Sequence, residues 1–352
     1  MKKPEWLVNS SSALFVAVCF TGCEQKIMVE SIVHDDGSID RTVVLYDVDS
    51  GALNNNIYGL KLAGGWEATI QRSEKRDDSL KNKHKFDLAL HKTFTSAAEA
   101  NAVMNDSLSS DTLLRINSNF ETQFRWFYTY IKYSDTYVSI NRFQHLAQRD
   151  YFTDEDYAFI RRIPALGVPF SKADSLFHLR LKEKITDHYA TRAIYEEYVI
   201  ALKGLLRDKQ IDTKWNDSLQ ARKEELFRKI VKTDSLNNNE TVLSEMIKIL
   251  RIPVEISKAD EKTRTLDIVS RVNFMSSAME GKFTHIIQMP FEVVRTNADS
   301  ISGNQLVWKP PVIKFMLNNY TMYAESRTMN YWAVGVTFLA IIGVSFAFFR
   351  RK

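Results

Sequence analysis

The alternation of apolar and polar residues predicts β-strands near the beginning of the chain. Two period-two runs flank Asp36-Gly37-Ser38, whose turn chemistry predicts a β-hairpin. Ser96 and Glu99 have the spacing of a capping box, so a short helix is expected to follow Ser96. The predicted strands of this part are residues 27–33, 39–48, 66–72 and 83–91.

The period changes to three to five residues between about Thr153 and Arg251, which predicts amphipathic helices. The last of them is expected to stop at Arg251-Ile252-Pro253. Two interpretations are open: helices packed on each other and on a sheet, or a helical module that docks a partner. The clearest helical segments are residues 181–205, 215–231 and 242–250.

Strand-like patterns return after the helices, at residues 266–274, 282–288, 291–295, 301–308 and 320–327. The predicted fold class is therefore α+β, with a mostly antiparallel sheet built from both flanks of the body and an inserted helical segment. The predicted divisions are 23–150 for the first β-rich half, 151–261 for the helical insertion and 262–330 for the second β-rich half.

The segment from Phe120 to Tyr133 is unusually aromatic. Under a single period-two strand, Phe124, Trp126, Tyr128 and Tyr130 share one face, with a turn at Ser134-Asp135 before a further strand at 136–143. Such a pair is expected to form a central hairpin covered on both faces. The alternative is that these four aromatic side chains line a groove for a lipid or another small ligand.

The segment from Tyr331 to Phe349 has 19 residues without a charge, enough to cross about 30 Å of hydrocarbon as a helix. Tyr331 and Trp332 suit one membrane interface. The basic tail 350–352 suits the other and predicts that this end faces the cytoplasm.

The N-terminal residues 1–22 have the layout of a signal peptide, with Lys2 and Lys3 before a short apolar run. The following Cys23 completes a lipobox-like Phe20-Thr21-Gly22-Cys23, so we expect Cys23 to be lipidated. An ordinary signal peptide with a chance cysteine, and an uncleaved anchor, are the alternatives. Since the only other cysteine is Cys19, the mature chain would form no internal disulfide.

Composition narrows the function classes. The formal charge is +4, but outside residues 1–22 and 350–352 the chain has 42 basic and 42 acidic residues, which gives no electrostatic basis for binding nucleic acid. No HExxH, P-loop, GxSxG or CxxC motif is present, and His178 and His188 lack metal-ligand spacing. We therefore predict no catalysis, no cofactor and no metal site.

The overall plan resembles the LppM-type envelope lipoproteins. The matching features are the lipobox at Cys23, the hairpin at Asp36-Gly37-Ser38, and Pro290, Ser302-Gly303-Asn304 and Trp308 ahead of the C-terminal helix. The resemblance implies an α+β envelope domain with suggested lipid binding. The long helical middle departs from that family, and the family offers no catalytic residue to transfer.

Together these features predict a non-catalytic lipoprotein of the cytoplasmic membrane, with its body in the periplasm or outside the cell. Its expected partners are the phospholipid membrane, through the Cys23 lipid and residues 331–349, and other envelope proteins. A lipid- or small-ligand-binding module and an enzyme with a dispersed site are the alternatives. Lipid and helix are expected in the same membrane; a bridge between two membranes is the other arrangement.

Overall fold

The computed structural model describes most of the chain and divides it into two compact units. The described residues are 26–48, 56–61, 64–72, 86–105, 112–211, 214–232, 236 and 241–351. Within them, the helical unit comprises Ile140–Pro164 and Val168–Met279, and the remaining described residues form the sheet unit. The α+β prediction is confirmed. The predicted signal peptide and Cys23 lie outside the described residues.

The larger sheet of the sheet unit has seven strands in the order β3-β4-β2-β1-β7-β10-β9. The predicted opening hairpin is present, and Gly37 in its turn has a φ of +90°, which favours glycine. The strands are β1 (Lys26–Val33), β2 (Ile39–Val48), β3 (Glu67–Arg72), β4 (Phe86–Phe94), β7 (Lys282–Gln288), β9 (Ser300–Ser302) and β10 (Gln305–Trp308).

Both flanks of the sequence contribute to this sheet, as predicted. Strand β1 pairs with β2 on one side and, in parallel, with β7 from the far flank on the other. The remaining pairings in this sheet are antiparallel. The parallel β1–β7 pair explains how the helical segment is inserted, because the chain leaves the sheet unit and returns to its centre.

The second sheet has four antiparallel strands in the order β5-β6-β11-β8. They are β5 (Ile116–Arg125), β6 (Tyr128–Tyr137), β8 (Glu292–Thr296) and β11 (Tyr320–Met329). Helix α1 (Ala97–Asn105) follows β4, and its Asn101 accepts a hydrogen bond from the Ser118 amide of β5. The two sheets meet face to face, where Tyr137 of β6 packs edge-on against Phe283 of β7.

The predicted turn at Ser134-Asp135 is wrong. These residues lie inside β6, and the turn of the hairpin is Trp126-Phe127, with Arg125 paired directly to Tyr128. Neither turn residue is glycine, proline, asparagine or aspartate, so turn chemistry gives no signal there. Ser134-Asp135 has turn composition, but its backbone pairs with β5 and β11.

The helical unit contains seven α-helices in its described part. Helix α3 continues through a π-helical segment, Lys184–Ala190, into α4, so the predicted amphipathic helix at 181–205 is part of a longer one. Apolar faces of α4, α5, α6, α7 and α8 form one core around Tyr198, Leu202 and Met246. The helices are α2 (Asp154–Arg162), α3 (Lys172–Glu183), α4 (Thr191–Asp208), α5 (Lys214–Ala221), α6 (Lys223–Lys232), α7 (Val242–Leu250) and α8 (Lys258–Met279).

The predicted strand at 266–274 is also wrong, because these residues belong to α8. The buried positions Thr265, Ile268, Arg271, Met275 and Ala278 recur every three to four residues, which is the period of a helix. Packing of this face overrides the β-branched composition of the segment. The helical segment therefore extends to residue 279 and not only to the predicted 261.

Helix α9 (Tyr331–Arg350) follows β11 after the single residue Asn330. It matches the predicted apolar segment, and Ala333 is its only buried residue. An 18-residue window of the helix is only 6% buried. Among the described residues it is the one helix long and apolar enough to cross a membrane.

Candidate functional site at the base of the apolar helix

The four candidate groove aromatics do not share a face. In the two-residue hairpin, Phe124 pairs with Thr129 and Arg125 pairs with Tyr128. Directly paired residues lie on the same face of a sheet. Phe124 therefore lies on the face that packs toward the larger sheet, while Tyr128 and Tyr130 lie on the opposite face and Trp126 occupies the turn.

The end of this hairpin is exposed, so the prediction of a fully covered core does not hold for it. Exposure reaches 57% for Phe124, 48% for Trp126 and 43% for Phe127. Phe120 still packs on the β1–β2 turn, where its ring would meet a Cβ on Gly37. The residues after Phe120 extend beyond this contact, and β5 is largely exposed from Glu121 to Arg125.

The first two turns of α9 lie against this exposed end. The ring of Trp332 stacks on Phe124 with centroids 6.0 Å apart and meets Trp126 edge-on at 5.5 Å. The indole Nε1 of Trp126 donates to Thr337 Oγ1 at 2.8 Å. The hairpin end and the apolar helix therefore form one continuous aromatic surface.

Asn330 connects the two elements through its backbone and its side chain. Its Nδ2 donates to the carbonyl oxygens of Arg125 at 2.9 Å and Trp126 at 3.2 Å, and its backbone N–H donates to the carbonyl of Phe127 at 2.9 Å. Its Oδ1 accepts from Thr129 Oγ1 at 2.9 Å. One residue thus satisfies the carbonyl groups of three successive hairpin residues.

Two arginines cover the tyrosines on the outer face of the hairpin. The guanidinium of Arg125 lies 5.1 Å from the centroid of Tyr130, and that of Arg327 lies 4.9 Å from the centroid of Tyr128. These are cation–π distances. A cluster of two tyrosines and two arginines therefore lies on the outer face of the hairpin, next to its exposed aromatic end.

The outer face of the four-stranded sheet also carries a cleft of about 370 Å³. None of the four candidate aromatic residues lines it. Charged residues of both signs surround it together with Tyr323, namely Glu121, Lys132, Arg295 and Glu325. The aromatic groove of the ligand-binding alternative therefore does not coincide with this cleft.

A second notable cluster is a charged network between the two sheets. Arg41 Nη2 lies 2.7 Å from Asp135 Oδ1, and both side chains have no exposed surface. The other carboxylate oxygen of Asp135 lies 2.9 Å from Nε2 of His285, which is equally buried. The hydroxyl groups of Ser31, Ser118 and Tyr133 also donate to the carboxylate, at 3.0, 2.6 and 2.9 Å.

Burial and pairing act against each other on the pKa values of this network. Burial disfavours ionisation of Asp135, but Arg41 and the hydrogen bonds from His285 and Ser118 hold its pKa well below the usual range. Burial lowers the pKa of His285, although Asp135 acts in the opposite direction. The network is thus an Arg–Asp ion pair beside a histidine whose charged form is disfavoured by burial.

The enclosed position of this network favours a structural role. The Asp135 carboxylate binds Arg41, His285 and the hydroxyl groups of Ser31, Ser118 and Tyr133. The side chains of Arg41, Asp135 and His285 are inaccessible to a substrate. A buried ion pair with these hydrogen bonds joins strands that are distant in the sequence.

The sequence contains a signal for this network that the search for catalytic and metal-binding motifs does not detect. Arg41 falls in the same period-two series as Ile39, Val43 and Leu45, and His285 lies between Phe283 and Ile287. Parity alone places both side chains in the core. Asp135 has the same relation to Tyr133 and Tyr137, but the mistaken turn at Ser134-Asp135 conceals it.

Across the described ranges, no group of three or more histidine, cysteine, aspartate or glutamate side chains is arranged to hold a metal ion. His178 stacks on Phe170 at 4.8 Å, and burial lowers its pKa. His145 lies 3.6 Å from Glu197, which also pairs with Arg271. These side chains have packing or ion-pair roles in the helical unit.

Comparison with known proteins identifies no family for this chain. No family model matches the chain, and no curated protein matches it. A search of solved structures finds the folded domain of the LppM protein of Mycobacterium tuberculosis, determined by NMR, with 7% sequence identity and a TM-score of 0.28. The alignment covers 88% of this chain and 92% of that domain. The structural resemblance to this domain is weak.

Proposed function

We propose that this protein is a non-catalytic, membrane-anchored envelope lipoprotein that presents its α+β body to lipids or envelope proteins. The observation that carries the proposal is α9, an exposed apolar helix joined to β11 by one residue. An exposed surface of this size and apolarity is stable only in lipid or against a partner. Export of the body and lipidation of Cys23 are inferred from the sequence.

The orientation follows from the charges that flank the helix. Arg350 and Arg351 lie at its C-terminal end, whereas the Tyr331 end is attached to the sheet unit. Positive residues remain preferentially in the cytoplasm, so the body faces away from it. The signal-like N-terminus gives the same direction of export.

Lipidation of Cys23 supplies a second attachment. A single acyl chain binds a membrane only marginally, whereas a spanning helix is effectively permanent. The lipid is therefore not required for retention, and its role in this proposal is to keep the first strand of the body close to the same membrane.

Fractionation of the unmodified protein and three variants tests the proposal. Cys23→Ser should remain in the carbonate-washed membrane through α9, and truncation after Asn330 should remain there through the lipid. The combined variant should be recovered as a soluble exported body. Release by either single change, or retention of the combined variant, would contradict the proposed anchoring, and retention would indicate an uncleaved N-terminal anchor.

A non-catalytic role is supported by the buried state of the titratable network around Asp135 and by the absence of a recognised catalytic motif. The aromatic ligand-groove alternative is weakened, because Phe124 lies on one face of the hairpin and Tyr128 and Tyr130 on the other. A purified body with a hydrolase or transferase activity that one point substitution abolishes would contradict the non-catalytic role.

A further inference from the structure

The hairpin end from Phe124 to Phe127, here called the tip, has a composition that does not suit water. Phe124, Trp126 and Phe127 are each more than 40% exposed. Two-residue hairpin turns in water favour Asn-Gly or Gly-containing sequences with positive φ. The turn residues Trp126 and Phe127 include no glycine, and neither has a positive φ. Backbone preference therefore does not explain this turn, and its large apolar side chains are its distinguishing feature.

The position of the tip along α9 fixes its depth. Trp126 bonds to Thr337, six residues after Tyr331, which corresponds to about 9 Å along the helix axis. The apolar stretch of 19 residues is only just long enough to cross about 30 Å of hydrocarbon. If α9 spans the bilayer, its first residues lie at the hydrocarbon boundary and Thr337 lies inside it.

We propose that the tip is a second membrane-inserted element, which enters the outer leaflet beside α9. This inference rests on the proposed function, since it requires α9 to cross the membrane. The partner of the tip is the phospholipid bilayer, because the tip adjoins the apolar helix surface itself.

The hydrogen bonds of the tip support this placement. Backbone groups in hydrocarbon require partners within the protein, since water is absent there. Asn330 binds the carbonyl groups of Arg125, Trp126 and Phe127, and Thr337 accepts the indole N–H of Trp126. Three backbone carbonyl groups and the indole N–H of the tip thus already have partners within the protein.

Arg125 of the tip and the residues next to the tip suit the headgroup region. Tyr128 and Tyr130 have amphipathic rings, which concentrate at membrane interfaces. Arg125 and Arg327 lie over these rings and carry charges that can bind lipid phosphates. Amphipathic tyrosines and charged arginines therefore adjoin the apolar side chains of the tip, a combination typical of a bilayer interface.

The test uses the full chain with both native cysteines changed to serine and one new cysteine labelled with an environment-sensitive fluorophore. Phe127→Cys reports the tip, Phe338→Cys reports α9, and Ser302→Cys reports a hairpin turn of the other sheet. The protein is reconstituted in vesicles of zwitterionic and anionic phospholipids that carry nitroxides near the headgroup or deep in the acyl chain.

We expect the label at 127 to have blue-shifted emission and to be quenched several-fold more strongly by shallow nitroxides than the label at 302. A label introduced as Phe124→Cys should behave in the same way and gives an independent measurement. Quenching at 338 together with water-like emission at both 124 and 127 would overturn the inserted tip and leave the proposed anchoring intact. Absence of quenching at 338 would overturn both.

Discussion

The indole N–H of Trp126 and the hydroxyl oxygen of Thr337 form a 2.8 Å hydrogen bond between a β-hairpin and an apolar helix 211 residues later in the chain. With the stacking of Phe124 on Trp332, it fixes the four-stranded sheet to the start of α9. The four-stranded sheet is therefore joined directly to the helix, with Asn330 as the one residue between β11 and α9.

Substitution of Asn330 should weaken the connection between the hairpin end and α9. Asn330→Ala removes the side-chain hydrogen bonds to the carbonyls of Arg125 and Trp126 and to the hydroxyl of Thr129. We expect local opening of the hairpin to become easier by about 2 kcal/mol. Hydrogen exchange of peptides covering 120–133 measures it.

The matched control is Asn119→Ala on the same strand, whose amide binds only the exposed carboxylate of Glu121. It should change the opening free energy by no more than about 0.5 kcal/mol. Equal exchange in the two variants would show that Asn330 does not hold the hairpin.

Loss of the buried carboxylate should be far more damaging than loss of an exposed one. Asp135→Ala leaves Arg41 charged and unpaired between the sheets, which we expect to cost about 3–5 kcal/mol. Glu292→Gln, whose partner Arg327 is 4.0 Å away at the surface, should cost less than about 1 kcal/mol. Urea midpoints from pulse proteolysis compare the two, and similar midpoints would refute a structural role for the network.

The stability of the sheet unit should fall in mild acid. The pKa of His285 is lower in the folded state than its ordinary value of 6.5, so the unfolded chain binds more protons as the pH falls below that value. The loss should therefore begin below about pH 6.5, and a further loss through Asp135 should follow below about pH 4.

His285→Gln keeps a polar side chain at the site and removes the titrating group. Its urea midpoint should change less between pH 7 and pH 5 than that of the unmodified protein. His188→Gln, at a histidine outside this network, should retain the full slope. An unchanged slope in His285→Gln would contradict the assignment.

Two turn glycines differ in a measurable way. Gly37→Ala combines a φ of +90° with a Cβ 2.9 Å from the Phe120 ring, so we expect a loss of about 2–4 kcal/mol. Gly303→Ala has a φ of +62° and free space around the new Cβ, so about 1 kcal/mol is expected. Thermal unfolding of both variants provides the comparison, and an equal loss would show that the Phe120 contact is unimportant.

Local pattern is sufficient to predict much of the fold. The opening hairpin, β7 and α7 are predicted almost to the residue from their period and boundary signals, and α9 from the length of its uncharged run. The prediction for segment 266–274 fails, because its β-branched residues favour a strand while the buried series from Thr265 to Ala278 packs as a helix. The choice between them depends on tertiary contacts that no local window contains.

The composition of the candidate site is predictable from the sequence, whereas its geometry is not. The aromatic residues from Phe124 to Tyr130 stand out, but a turn of tryptophan and phenylalanine has no conventional signal. That turn is stabilised by Asn330 and by Trp332, both more than 200 residues away. The parity of Arg41 and His285 is visible in the sequence, whereas the partner that makes their burial possible, Asp135, is not.

Membrane crossing by α9, with the sheet unit held outside the cytoplasm, is the feature on which the proposed function depends. Labelling of single cysteines with a membrane-impermeant maleimide in intact spheroplasts tests it, using Ser302→Cys in the body and Arg351→Cys after the helix, with the native cysteines changed to serine. We expect the cysteine at 302 to react in intact spheroplasts and the one at 351 to react only after permeabilisation. Reaction at 351 in intact spheroplasts, or protection at 302, would contradict the proposed topology.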